Sequence, residues 1–204
     1  MKTLIVVDCQ FDFCDPLGSL YVPGSEKSVE NIVNLVKSDE IDKIIFTLNW
    51  HTTSDGSFLV NGGTWPNHCI NYNPGSSIVK KLCDLDFQGE IEYFLKGQDP
   101  EHEEYGAFEL QMELPGSRYY ISNWLEECEI RLDSDHGLGD VILCGVAGDY
   151  CVLETLKNLL NIPKDYIDSI NVYLPGISSI DGGKKLRSFI EEYKSKVNIY
   201  GATE

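Results

Sequence analysis

Two stretches of this chain, TLIVVD at residues 3–8 and DVILCGV at residues 140–146, are almost unbroken apolar runs. A strand with one face in water alternates apolar and polar side chains, because successive Cβ atoms point to opposite sides. A run without alternation marks a strand buried on both faces, as in a parallel sheet covered by helices on each side. Similar runs at 43–49 (KIIFTLN), 92–97 (EYFLKG), 169–175 (SINVYLP) and 198–203 (NIYGAT) bring the predicted strands to six. Between them lie helical patterns. Residues 25–36 place Val29, Ile32, Val33 and Val36 on one face, and 150–160 do the same with Val152, Leu153, Leu156, Leu159 and Leu160. Further helices are predicted at 76–82, at 122–130, and at 183–197 with Leu186, Ile190 and Tyr193. Strands alternating with helices imply βαβ units, hence an α/β fold of three α/β/α layers around a mainly parallel six-stranded sheet. No repeat, low-complexity tract or linker interrupts the pattern, and 204 residues suit a single domain spanning 1–204.

Charge narrows the partners. Thirty-three acidic residues against 16 Lys and Arg give a net charge of −17. That balance repels nucleic-acid backbones and anionic membrane surfaces, which leaves a small-molecule partner as the expectation. No apolar window reaches the length of a membrane-spanning helix. The N-terminal run Leu4–Val7 is too short for a signal peptide, and the seven cysteines form no C-x-x-C pair. The expected setting is therefore the cytoplasm, with reduced thiols.

In a doubly covered parallel sheet, ligands bind in the crevice beyond the carboxyl ends of the strands. The residues at those ends are Asp8, then Asn49 with Trp50 and His51, then Lys96, then Ala147 to Cys151. Each has two readings. Asp8 is either an ordinary loop-start aspartate or a carboxylate kept at the end of an apolar run for function. Lys96 either snorkels to solvent or pairs with such an acid. Cys151 is either a buried helix-start cysteine or a nucleophile whose thiol is acidified by the helix N-terminus and a nearby cation. The adjoining Gly145 and Gly148 let backbone N–H groups approach a reacting carbonyl. The other six cysteines, Cys9, Cys14, Cys69, Cys83, Cys128 and Cys144, read as packing. His51 and His68 lie in aromatic loops rich in Gly and Pro, with Asn49 and Asp55 nearby. Two imidazoles and an oxygen donor suit an open zinc, iron or manganese site, though hydrogen-bonded loop histidines fit the same spacing. His102 and His136, among polar neighbours, read as surface residues.

Five segments in order, LIVVDCQFDFC, TLNWHTTSDGSF, GTWPNHCI, LKGQDPEHEEYGAF and GVAGDYCVLETLKNL, resemble the isochorismatase-like cysteine hydrolases, and within them the nicotinamidases and pyrazinamidases. The resemblance implies that fold and a catalytic triad of Asp8, Lys96 and Cys151. It further implies a cis peptide between Val146 and Ala147, an oxyanion hole from the N–H groups of Ala147 and Cys151, and a substrate pocket at Phe13, Trp65, Tyr105 and Val146. His51 and His68 would hold a divalent metal, zinc in the first instance with iron or manganese as alternatives, that anchors the substrate's pyridine nitrogen. The implied activity is hydrolysis of nicotinamide, or a close aromatic carboxamide, through a cysteine thioester. A metal-independent amidase acting on a carbamoyl or ureido substrate, and an inactive ligand-binding member, are the alternatives; homo-oligomers occur among such proteins. This chain departs from the pattern at the metal. Asn49 stands where the family's D-W-H segment has aspartate, and Asp55 where many members have a further histidine, so both are carried as candidate ligands. Gly148 for threonine and Gly106 for serine are milder changes.

Overall fold

A computed structural model describes residues 1–112, 119–126, 128–132 and 137–201. Six parallel strands form the central sheet in the spatial order β3-β2-β1-β7-β8-β9. They are β1 (Lys2–Val7), β2 (Lys43–Asn49), β3 (Glu90–Lys96), β7 (Gly139–Val146), β8 (Ile167–Ser178) and β9 (Asn198–Ile199). The chain winds outward from β1 through β2 to β3, then returns to the other side of β1 and winds outward again. The switch in direction lies between β1 and β7, where such a sheet opens a crevice at its carboxyl edge.

The apolar runs divide between two cores by simple alternation. Ile5 and Val7 of β1, with Val141 and Leu143 of β7, face α4 (Cys151–Leu159) and α5 (Lys184–Glu192) through Leu156, Leu186 and Ile190. Leu4 and Val6, with Ile142, Cys144 and Val146, face α2 (Ser25–Ser38) through Val29, Ile32 and Leu35. Two short helices, α1 (Phe11–Cys14) and α3 (Lys80–Cys83), flank the second core. This is the expected three-layer α/β/α arrangement around a six-stranded sheet. No helix among the described residues is long and apolar enough to cross a membrane.

One predicted helix is replaced by strands. Residues 122–130 run from the end of β5 (Tyr119–Ser122) to the start of β6 (Glu129–Leu132), which with β4 (Glu109–Met112) form an antiparallel sheet. Glu126 takes a left-handed φ of 54°, which ends any helical run, and Asn123 Oδ1 accepts the N–H of Cys128 across the turn. Ile121 and Leu132, one on each strand, reach the core, while Trp124 and Leu125 between them stay exposed. A tertiary gain at two positions thus outweighs local helical spacing. The last strand is also shorter than predicted, Asn198–Ile199, and residues 202 and 203 of the expected 198–203 lie outside the described residues, as does His136. Helix α5 ends at Glu192, short of the predicted 197.

Gly145 is the tightest point between β1 and β7. Its φ is +117°, and a Cβ there would lie 2.1 Å from the Val7 carbonyl oxygen. Gly145→Ala should therefore destabilise the fold by about 3 kcal/mol or more, read as a lower midpoint in urea denaturation; an unchanged midpoint would refute the packing argument.

Candidate active site

The three strands of the sheet's first half, β1, β2 and β3, set the site. Asp8, immediately after β1, adopts a left-handed φ of 49° and donates its backbone N–H to Thr47 O at 3.1 Å. Its carboxylate is fully buried. Thr47 Oγ1 of β2 donates to Asp8 Oδ1 at 2.7 Å, and Lys96 Nζ from the end of β3 pairs with Oδ2 at 2.8 Å. Lys96 is itself completely buried, and Nζ also donates to Asn49 Oδ1 and, at 3.4 Å, to Glu104 O. Burial opposes its charge, but Asp8 outweighs that, and Lys96 is held above its ordinary pKa. Gly97 follows with φ +70°, and a Cβ there would come within 2.6 Å of His51 Cε1, so the turn after Lys96 brings backbone against imidazole.

Cys151 opens α4, just beyond the end of β7 across the switch point. Its Sγ lies 3.7 Å from Lys96 Nζ. Burial pushes the thiol pKa up, Lys96 counteracts this in part, and the net direction is upward, so the resting group is the thiol. The peptide joining Val146 to Ala147 is cis. Ala147 O accepts the N–H groups of Tyr150 and Val152, both at 3.1 Å, and curls the 147–151 turn around one point. Among the described residues the N–H groups of Ala147 and Cys151 donate to no protein acceptor, which leaves both free for an oxyanion. Gly148 has a local cause: Ser179 Oγ sits 2.2 Å from where its Cβ would be.

A narrow pocket leads to the sulfur, lined by Phe13, Asn49, Trp65, His68, Glu103, Tyr105, Ala147, Tyr150 and Cys151, with Leu20, Val22 and Ile180 also contributing. Trp65 Nε1 donates to Tyr105 Oη at 3.0 Å, and both rings pack against Tyr150, which braces flat aromatic walls. Of the expected substrate residues, Phe13, Trp65 and Tyr105 line this pocket. Val146 is fully buried with the α2-side core and is not among the lining residues. Glu103 and Thr47 are additions that the sequence did not single out; Glu103 stands in the acidic stretch PEHEE and Thr47 inside a strand run, so neither carried a signal of its own.

His51 and His68 come together with ring centroids 4.9 Å apart. Asp55 Oδ2 accepts from His51 Nδ1 at 2.8 Å and its Oδ1 accepts the Ser57 N–H, bonds that outweigh burial and keep the carboxyl below its usual pKa. His68 Nδ1 meets Pro66 O at 2.9 Å. Because a carboxylate and a carbonyl can only accept, both Nδ1 atoms carry a proton, which turns Nε2 of each ring toward any ion it would hold. His51 Nε2 is buried with no partner. Burial, and then the neighbouring His51, lower the His68 pKa to about 4, so its ring is neutral at ordinary pH. Two imidazoles that can offer Nε2 fit a divalent transition metal. Among the described residues, however, no three His, Cys, Asp or Glu side chains converge closely enough to enclose an ion. Asp55 acts on His51 through a hydrogen bond, and Asn49 turns its oxygen to Lys96.

The isochorismatase domain family matches residues 2–166. The chain belongs to the isochorismatase family. Among its relatives, the nicotinamidase of Saccharomyces cerevisiae is 31% identical over 76% of this chain and 79% of that protein. The yeast nicotinamidase bound to the inhibitor nicotinaldehyde superposes with a TM-score of 0.73 at 26% identity, covering 98% of this chain and 100% of that one. A pyrazinamidase of Pyrococcus horikoshii in complex with zinc shares the fold, with a TM-score of 0.68 at 24% identity and 97% coverage of each chain.

If Asp55 fixes the His51 ring for an ion, Asp55→Ala should weaken zinc binding about 10- to 100-fold, the usual effect of removing a carboxylate behind a ligating histidine. Equilibrium dialysis against zinc measures this; unchanged affinity would show that the carboxylate has no part in it.

Proposed function

We propose that this protein hydrolyses nicotinamide, or a close aromatic carboxamide, to the acid and ammonia through a thioester on Cys151. The observation that carries this reading is the buried set of Asp8, Lys96 and Cys151, with Lys96 Nζ 2.8 Å from Asp8 and 3.7 Å from Cys151, at the floor of an aromatic pocket. A flat ring fits between Phe13, Trp65 and Tyr105 and carries its amide carbon to Sγ.

The thiol starts protonated, so a base is required. Asp8 takes the proton from Sγ as the sulfur attacks the carbonyl carbon, and the Lys96 ammonium stabilises the charge that develops between them. The carbonyl oxygen, now an oxyanion, receives the N–H groups of Ala147 and Cys151. As the tetrahedral carbon collapses, the C–N bond breaks and Asp8 returns its proton to the leaving nitrogen, releasing ammonia. In the second half Asp8 removes a proton from water, the resulting oxygen nucleophile attacks the thioester, and the C–S bond breaks to give the acid and regenerate the thiol. One carboxylate serves as base and acid in turn, and Lys96 keeps its proton throughout. A divalent metal, zinc in the first instance, would be held by His51 and His68 and would supply a Lewis-acid contact for a ring nitrogen. Asp55 holds the His51 ring, and Phe13 packs against His68 with centroids 5.3 Å apart, so ring orientation is shared between the pocket and the imidazoles.

Purified protein incubated with nicotinamide should release ammonia and nicotinic acid. Cys151→Ala and Asp8→Asn should each lower kcat by about 10³-fold or more, since groups acting as one unit fail together. Turnover that survives Cys151→Ala would sink the mechanism, and no turnover of any aromatic carboxamide by the parent would sink the substrate class.

A further inference from the structure

Asn49 is held as firmly as the reacting groups. It ends β2 in register with Lys96 at the end of β3, so the two side chains leave adjacent strands at the same level. Gln10, fully buried, clamps its backbone from both sides: Nε2 donates to Asn49 O at 2.8 Å and Oε1 accepts the Asn49 N–H at 2.8 Å. The second N–H of that amide reaches Ser76 O at 2.8 Å. Nothing about Asn49 is left to drift.

An ammonium has three N–H donors, and Lys96 Nζ donates to Asn49 Oδ1, Glu104 O and Cys151 Sγ while Asp8 Oδ2 supplies the ion pair at 2.8 Å. Asn49 and Glu104 thus fix the cation 3.7 Å from Cys151 Sγ. A metal ion drawing on the same amide oxygen would set a dication against an ammonium across one neutral atom, an unfavourable pairing in a buried site. We infer that Asn49 is a positioning residue for Lys96 rather than a metal ligand: its neutral oxygen completes the ammonium's shell and leaves any ion to His51 and His68. Its neutrality matters as much as its position. An aspartate at 49 would put a second carboxylate on an ammonium already paired with Asp8, whereas the amide accepts a hydrogen bond and adds no charge. The inference rests on the proposed roles of Lys96 and Cys151.

Two measurements that need no substrate test it on the full chain. One is alkylation of Cys151 by iodoacetamide across pH, read peptide by peptide in a mass spectrometer so that Cys83 and Cys128 do not interfere. The other is calorimetric titration with zinc. Asn49→Ala should slow Cys151 alkylation at neutral pH about ten-fold and move its midpoint to higher pH, the size of effect expected for one hydrogen bond to a charged group. Its zinc dissociation constant should stay within about two-fold of the parent's, since no ligand is lost. Asn49→Asp, which is isosteric but adds a second carboxylate beside Lys96, should also alkylate more slowly than the parent at neutral pH. Unchanged alkylation in Asn49→Ala, a zinc affinity that falls about ten-fold with it, or an Asn49→Asp variant that alkylates as fast as the parent would each overturn the assignment. Nicotinamide enters neither measurement, so a failure of the amidase reading is seen separately.

Discussion

A fully buried ammonium is the constraint around which the rest of this molecule is arranged. Removing Lys96 from water carries a penalty of several kcal/mol, and only a carboxylate at contact distance offsets it. Asp8 supplies that charge from two strands away, and β2 between them supplies the fastening. Thr47 holds one oxygen of Asp8, and Asn49 holds Nζ of Lys96. The order β3-β2-β1 is therefore also the order of the electrostatic circuit. Any rearrangement of these three strands would strand a charge in the core, so the pair selects the register as well as serving the chemistry.

Across β1, the switch in winding brings Cys151 to the same point from the other half of the sheet. Helix α4 directs its N-terminus at the sulfur, which favours a thiolate, while burial favours the thiol. Burial prevails, and the sulfur waits as a neutral group beside an ion pair. Reactivity in such a site arises when substrate fills the pocket and proton transfer to Asp8 coincides with attack. The free N–H groups of Ala147 and Cys151 stand ready in a turn whose own carbonyl is already saturated by Tyr150 and Val152.

Much of this was legible in the sequence because buried charge is conspicuous beside apolar residues. Asp8 and Lys96 each end a strand run, and Cys151 sits between a glycine-rich exit and a helical pattern, so the three strand ends pointed to one crevice before any contact was known. The cores were legible for the same reason, through the alternation within 3–8 and 140–146. What stayed hidden depended on partners distant in the chain. Gln10 looks like one more polar residue until Asn49, 39 positions away, closes two of its three hydrogen bonds. Residues 122–130 have helical spacing, yet the buried positions that decide their structure are Ile121 and Leu132, which lie just outside that window on the two paired strands. Nearness to His51 and the family pattern both make Asp55 a candidate ligand, and only geometry separates direct contact with an ion from contact through the imidazole.

That separation bears on how charge is distributed between the two halves of the site. The carboxylate that the D-W-H pattern would place at position 49 is absent, and the carboxylate nearest the imidazoles, Asp55, acts on the far side of a ring. An anion bonded to Nδ1–H raises the basicity of Nε2 without occupying a place in the coordination shell. The imidazoles gain donor strength, and Lys96 keeps Asp8 as its sole contacting carboxylate among the described residues. A second anion in direct contact with Nζ would pull the ammonium's field away from Cys151, where the proposed chemistry needs it. The exchange of Asp for Asn at 49 thus reads as a transfer of negative charge away from the lysine, with His51 as the insulator between the two.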